Sequence, residues 1–240
     1  MGNPFLDAFI QSDLMGKAIF LLLFTLSVLT FAVFFETWNA LKRARTGSTL
    51  FKKVFDRHRE MPLHIDPEAL EEFQEKSQSP LLSLYASLRE TALNLIKRNR
   101  QENTPPFLLE KDIERVDVEL DAERRGQTAK LEKSLYLLSM IVTLAPFLGL
   151  LGTVWGILTS FSNLQSAGTS NQAVLSGLSL ALATTVVGLI DAIPALVAYN
   201  FLKNEVKKFD LEMEGFSSEM IATLETEYVR YAPQKISYTD

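Results

Sequence analysis

From Ser134 to Ile190 the chain carries no charged residue, and only Asp191 interrupts the apolar stretch that then continues to Leu202. About 20 apolar residues cross a hydrocarbon core of about 30 Å, so this region holds two helical spans, predicted over residues 135–161 and 173–202. Residues 18–35 hold a third. Ahead of it, over residues 1–17, Phe5, Leu6, Phe9, Ile10 and Leu14 recur near one helical face while Asp7, Gln11 and Asp13 fall elsewhere. That pattern suits a short amphipathic helix lying on the membrane surface. Residues 36–134 are polar and punctuated by helix starts: Asp66-Pro67-Glu68 and Ser79-Pro80 each put a capping side chain before a proline at the first helical position. Thr104-Pro105-Pro106 is a further break. From Phe107 the positions Leu109, Ile113, Val116 and Leu120 keep helical spacing, with Gly126 the one breaker, which predicts a single helix running on into the second span. Past the third span, in residues 203–240, Val206, Phe209, Met213, Phe216, Met220 and Leu224 step by three or four. That stripe needs a partner, either the 107–133 helix of the same chain or identical subunits. The predicted fold is all-α, an integral membrane protein with three transmembrane helices, the second and third extended into a cytoplasmic helical bundle.

Charge sets the expected orientation. Lys42, Arg43, Arg45, Lys52 and Lys53 follow the first span, against Lys17 before it, and Lys203, Lys207 and Lys208 follow the third. The positive-inside bias therefore puts the N-terminus outside, the uncharged connection 162–172 outside, and the C-terminus in the cytoplasm. The apolar run of the first span is preceded by Asp7 and Asp13 and ends in Phe35-Glu36 without a small-residue cleavage site, so it reads as a retained span.

Composition removes several function classes. With 47% hydrophobic and 22% charged residues, the average resembles a soluble protein, and only the ordering shows otherwise. The net charge of −5 has no basic patch behind it, since acidic and basic residues balance between Glu36 and Lys133, so no nucleic-acid footprint is present. The absence of Cys removes disulfides, thiolate metal sites and a Cys nucleophile, and the two His residues, His58 and His64, stand apart from any carboxylate cluster. No GxxxxGK(S/T) phosphate loop, no HExxH and no nucleophile beside a base occurs, so neither enzyme activity nor a cofactor is expected, and any work must draw on an ion gradient or a partner.

The candidate chemistry lies in the two uncharged spans. Gly149, Gly152 and Gly156 make a stripe of small residues suited to close helix packing in lipid, where little hydrophobic force holds helices together. Pro146 and Pro194 free backbone carbonyls within the spans and are read with the packing positions. Asp191 is the residue to explain: an ionised Asp at a helix centre in lipid costs about 2.5–3.5 kcal/mol, so it should face a bundle interior or a wet cavity. It is either a polar residue held near the inner boundary by water and Lys203, or a titratable group on an ion path. Thr184 stands seven residues earlier, within about 20° on the helix wheel. Thr153, Thr159 and Ser160 add hydroxyls to the second span. Alone, each bonds its own helix carbonyls; together, beside a carboxylate, they suggest a hydrated seam.

Two stretches, Gly149-Leu-Leu-Gly-Thr-Val-Trp-Gly156 and Ala183-Thr-Thr-Val-Val-Gly-Leu-Ile-Asp-Ala-Ile-Pro-Ala-Leu-Val-Ala-Tyr-Asn200, resemble the MotA/TolQ/ExbB proton-channel family, in its TolQ/ExbB branch. The usual pattern there is GLFGTVWG followed by ATAIGL-x-AAIPA-x-x-x-YN. The resemblance implies a bacterial inner-membrane motor subunit: a homo-oligomer, a pentamer in the family, whose second and third spans line a pore around a single-span TolR/ExbD-type partner carrying a membrane Asp. Proton flow would turn that partner and energise cell-envelope processes or outer-membrane transport, in some systems through a TolA/TonB-type transducer. By motif match Thr153 and Thr185 correspond to pore-lining threonines. The family's Glu, five residues before Thr185, is replaced by Leu180, while Asp191 stands where the family has Ala. Leu180 and Asp191 are again within about 20° on the wheel but about 16 Å apart along the axis, so Asp191 either takes over part of the missing Glu's role at a more cytoplasmic depth or only hydrates the inner mouth. The competing readings are a non-conducting membrane scaffold, in which the glycines serve packing alone, and a secondary transporter, which would need the inverted repeats and broken helices that three dissimilar spans do not supply.

Overall fold

The computed structural model describes residues 4–58, 62–65, 70, 73, 79–101, 108–166 and 171–229. Among the described residues the α-helices with defined bounds are, in chain order, α1 (Pro4–Gln11), α2 (Leu14–Arg57), α3 (Pro80–Gln101), α4 (Glu110–Glu132), α5 (Leu135–Ser166) and α6 (Asn171–Tyr228), with a short 3₁₀ turn at Pro62–His64. Among the described residues the extended pairing is confined to one isolated bridge, Leu108 with Val229. Three helices, α2, α5 and α6, are long and apolar enough to cross a membrane. The protein is an all-α integral membrane protein.

The chain divides into two compact units, Met1–Trp38 with Glu132–Asn204, and Asn39–Leu131 with Glu205–Asp240. In the first, α1 ends where the Ser12 hydroxyl donates to the Phe9 carbonyl, and Asp13 caps α2 by accepting from the Gly16 amide at 2.9 Å. One buried cluster gathers Ala8, Phe20, Leu180 and Ala183, and another gathers Ile19, Leu23, Ala145 and Ala192. α1, α2, α5 and α6 thus share a core. The outward faces of α5 and α6 expose Phe147, Leu150, Val154 and Phe161, and Leu182, Leu189, Ile193 and Val197, the surface of helices that meet lipid or other spans instead of water.

The second unit is a helical bundle. α3 starts as its sequence predicts, with the Ser79 hydroxyl accepting from the Leu82 amide at 3.2 Å. α4 starts at Glu110, where Asp112 reaches back to accept from the Leu109 amide at 3.0 Å, the return half of a capping box. The apolar stripe of α6 is buried from Val206 through Leu224. Phe216 stands edge-on to Phe55 and Phe51 of α2, with ring centroids 5.1 and 6.2 Å away, and Tyr85 of α3 completes the aromatic cluster. Arg124 of α4 donates to both oxygens of Asp210 at 2.8 Å, and Thr128 donates to the same carboxylate. The partner of the stripe is therefore within the chain, and it includes α2 as well as the predicted 107–133 helix.

Two expectations need correction. The helix predicted to run from Phe107 into the second span is divided by a turn at Lys133-Ser134, where a serine in the N-cap position precedes Leu135. The helices that continue unbroken beyond their apolar stretches are the first and third, α2 and α6: Lys42 to Lys53 change the charge of α2, and Gly47 among them is carried within the helix. The connection read over 162–172 is also shorter, because α5 runs to Ser166 and α6 begins at Asn171. The signals at Asp66-Pro67-Glu68 and Thr104-Pro105-Pro106 lie outside the described residues.

Candidate functional site

Small side chains bring α5 and α6 into near-backbone contact. A Cβ built on Gly149 would lie 3.0 Å from the Thr184 carbonyl oxygen, and one on Gly156 would lie 2.5 Å from the Gly177 carbonyl oxygen and 2.9 Å from the Ala181 amide nitrogen. A Cβ on Gly152 would collide with Thr184 Oγ1. From the other side, Gly188 faces the Ala145 carbonyl at 2.6 Å, and Gly177 faces Ser160. Ala145, Gly149, Gly152, Gly156 and Ser160 of α5 thus oppose Gly188, Thr185, Thr184, Ala181 and Gly177 of α6 along one seam. The three glycines singled out by their spacing all face α6, and the need for them is close approach.

The hydroxyls of this seam have defined partners. Thr185 donates across it to the Gly149 carbonyl at 3.2 Å and also reaches the Ala181 carbonyl of its own helix at 3.4 Å. Thr184 is fully buried and donates to the Leu180 and Ala181 carbonyls of its own helix. Thr153 donates to the Leu150 carbonyl at 2.6 Å and is half-exposed, as is Thr185. Ser160 donates to the Gly156 carbonyl at 2.8 Å and reaches that of Val174 at 3.3 Å. Pro146 and Pro194 both lie inside helices that continue through them; Pro146 is half-buried and Pro194 exposed.

Asp191 does not stand with these threonines. It is buried, 7% exposed, its Oδ2 has no hydrogen-bond partner, and the polar side chain beside it is that of Ser27 in α2. Thr184, on the same stripe of α6, meets α5 instead, so one helical face serves two neighbours. Leu180, where the family pattern has Glu, is 3% exposed and packs with Ala8 and Phe20. Its Cδ2 also lies 2.9 Å from a Cβ built on Gly16. Two further residues escaped the sequence reading. Asp13 accepts from Trp155 Nε1 at 2.8 Å as well as capping α2, joining the α1–α2 corner to α5. Ser27 was invisible because a serine in an apolar span means something only once its neighbour is known. Among the described residues no group of three or more His, Cys, Asp or Glu side chains could hold a metal ion.

Residues 85–215, which include all of α5 and most of α6, match the model of the MotA/TolQ/ExbB proton channel family. The Tol-Pal system protein TolQ of Haemophilus influenzae is 26% identical over 234 residues, covering 95% of this chain and 97% of that protein. The biopolymer transport protein ExbB of Aquifex aeolicus is 42% identical over 91 residues, which is 38% of this chain and 62% of that protein. The ExbB of Helicobacter pylori is 39% identical over 113 residues, covering 46% and 76%. With a family model covering more than half its length, and three apolar helices in the arrangement above, the chain belongs to the MotA/TolQ/ExbB proton channel family.

Proposed function

We propose that this protein is the stator subunit of a proton-motive-force-driven motor in the bacterial inner membrane, several copies forming a conducting ring around a TolR/ExbD-type single-span partner. A pentamer is the proposed ring. The observation that carries the reading is the Gly–Thr seam: in the segment that matches the family, Thr185 bonds the Gly149 carbonyl and remains half-exposed, beside a half-exposed Thr153. A hydroxyl whose proton is directed at backbone carbonyls keeps its oxygen lone pairs available to water or to a partner's carboxyl group, which is what a proton path needs. In this reading Thr153 and Thr185 line the path, Thr184 backs it from inside the helix interface, and Asp191 adds a carboxyl group at another depth. Lys42, Arg43, Lys203 and Lys207 support a cytoplasmic second unit and C-terminus with the N-terminus in the periplasm. The chain supplies at most one carboxylate to its apolar stretches, so the partner brings the other, and the output passes to envelope proteins such as a TolA/TonB-type transducer.

A second reading, a non-conducting scaffold, is favoured by the donation of Thr184, Thr153 and Ser160 to carbonyls of their own helices. Flux separates the two. The complex with its single-span partner, in liposomes under an imposed potential, should conduct protons, and Thr185→Val should lower the flux at least tenfold while leaving the oligomer intact. Partner-dependent flux unchanged by Thr185→Val would remove the seam from the path. No flux from an intact complex would favour the scaffold.

A further inference from the structure

Asp191 is the one charged-type side chain in the apolar stretch of α6, and it is buried against α2. The cluster that holds its chain neighbour Ala192 is apolar: Ile19, Leu23 and Leu26 of α2, Ala145 and Leu148 of α5, and Val187 of α6 pack with it. Among the described residues no countercharge is within reach. The stretches of α2 from Ala18 to Phe35 and of α5 from Leu135 to Phe161 contain no acidic or basic residue, and Tyr136, their one titratable side chain, is exposed. On α6 the nearest titratable groups are Tyr199, two turns on, and Lys203, which lies against the Tyr199 ring. The polar side chain beside Asp191 is that of Ser27, half-exposed on α2, and the carboxyl Oδ2 is without a hydrogen-bond partner.

An ionised carboxylate cannot be held cheaply in such a place. Without a paired cation it neutralises. A metal cation would need several oxygen ligands, whereas the site offers one carboxyl group, one hydroxyl and, of the adjacent α6 carbonyls, that of Ile190, which Pro194 leaves without its helical amide. A proton needs no more than this. We infer that Asp191 and Ser27 form a proton-holding site inside the subunit, on the wall shared by the first and third spans and separate from the threonine seam. In the protonated state the carboxyl O–H has Ser27 Oγ as its acceptor; on release, the proton leaves through that half-exposed hydroxyl, which then donates to the carboxylate. The site rests on the chain spanning a membrane and not on flux through a ring.

Infrared spectroscopy of the full chain in lipid, with carboxyl-¹³C aspartate incorporated, reads the protonation state directly. At pH 7 a protonated-carboxyl band that moves with the ¹³C label is expected. It should vanish in Asp191→Asn, change frequency in Ser27→Ala, and disappear as the pH is raised. A wild-type spectrum with no such band at pH 7 would overturn the site, and this arm needs no variant. A band that survives Asp191→Asn would assign it elsewhere, and a frequency indifferent to Ser27→Ala would remove Ser27. Proton flux measured on the same samples keeps the two proposals apart: a band without flux refutes the channel and leaves the site standing.

Discussion

Replacing Gly156 with Ala adds one methyl group where the structure has no space for it. The new Cβ would lie 2.5 Å from the Gly177 carbonyl oxygen, 2.9 Å from the Ala181 amide nitrogen and 3.0 Å from the Ala181 Cβ. Two of these are backbone atoms of a helix, so relief requires α5 and α6 to part by about 1 Å locally. Overpacking of this kind costs about 1–3 kcal/mol, and opening a seam by 0.5–1 Å forfeits roughly a quarter to a half of its dispersion energy. Against this, Ala improves helix propensity by about 1 kcal/mol. The net expected loss is about 1–2 kcal/mol, read as an earlier transition in a mixed-micelle denaturation. Gly126→Ala in α4 is the control, since nothing lies within 4 Å of its Cβ; it should stabilise by about 0.5–1 kcal/mol. A second check uses Gly152, whose Cβ would have Thr184 side-chain atoms as its three nearest neighbours. The Thr184 side chain, branched and bonded to two carbonyls, cannot rotate away. Gly152→Ala and Thr184→Gly should therefore show a coupling of about 1–3 kcal/mol, the double variant being more stable than the sum of the singles. If Gly156→Ala stabilises as Gly126→Ala does, and the Gly152–Thr184 pair is additive within about 0.5 kcal/mol, the close-packed seam is wrong.

Asp210→Ala should destabilise the second unit by about 1.5–3 kcal/mol in chemical denaturation, because it removes the two-pronged Arg124 pair and the Thr128 hydrogen bond together. Lys208, then Arg45, hold the Glu205 carboxyl below its ordinary value of 4.5. Its contribution is therefore complete above the ordinary glutamate range and lost as the pH falls through the depressed folded value; melts of wild type between pH 6 and 3 should show this loss, and those of Glu205→Gln should lack it. Burial pushes the Tyr85 hydroxyl, which donates to the Pro62 carbonyl at 2.5 Å, up to about 12. That stabilisation is whole below pH 10 and lost as the pH rises through about 12, a dependence that Tyr85→Phe should remove in ultraviolet-monitored titrations of stability.

Periodicity and charge order made most of the fold legible. The spans follow from runs of apolar residues, Ser79-Pro80 starts α3 as written, and the stripe from Val206 to Leu224 is buried throughout. What the sequence did not show is which neighbour each face meets. Gly149 and Thr185 could be placed on packing faces by spacing, but their hydrogen bond depends on the rotation of α6 about α5. Thr184 and Asp191 share a line on one helix, yet the first meets α5 and the second α2, because a single face of a long helix can cross two others. The turn at Lys133-Ser134 was missed for a related reason: neither residue breaks a helix by propensity alone, and the pattern on either side remains helical.

The same geometry predicts that an acid at position 180 is not interchangeable with one at 191. Leu180 Cδ2 and Asp13 Oδ1 lie 2.9 and 3.1 Å from one point, a Cβ built on Gly16, so they are within about 6 Å of each other. Both Asp13 oxygens are engaged, one with the Gly16 amide and one with Trp155 Nε1. A carboxylate introduced by Leu180→Glu would be set among Ala8, Phe20 and Ala183 with Asp13 as its polar neighbour, combining desolvation with like-charge repulsion. At Asp191 the polar neighbour is instead the neutral Ser27 hydroxyl. Leu180→Glu is therefore expected to loosen the α1–α2 corner, seen as a changed Trp155 emission and an earlier denaturation transition. Where Asp191→Asn lowers proton flux, Leu180→Glu should fail to restore it, and adding Asp13→Asn should recover part of the lost stability by removing the repulsion. Recovery of flux by Leu180→Glu in the Asp191→Asn chain, with Trp155 emission unchanged, would mean that the two depths are equivalent and that α1 does not seal position 180.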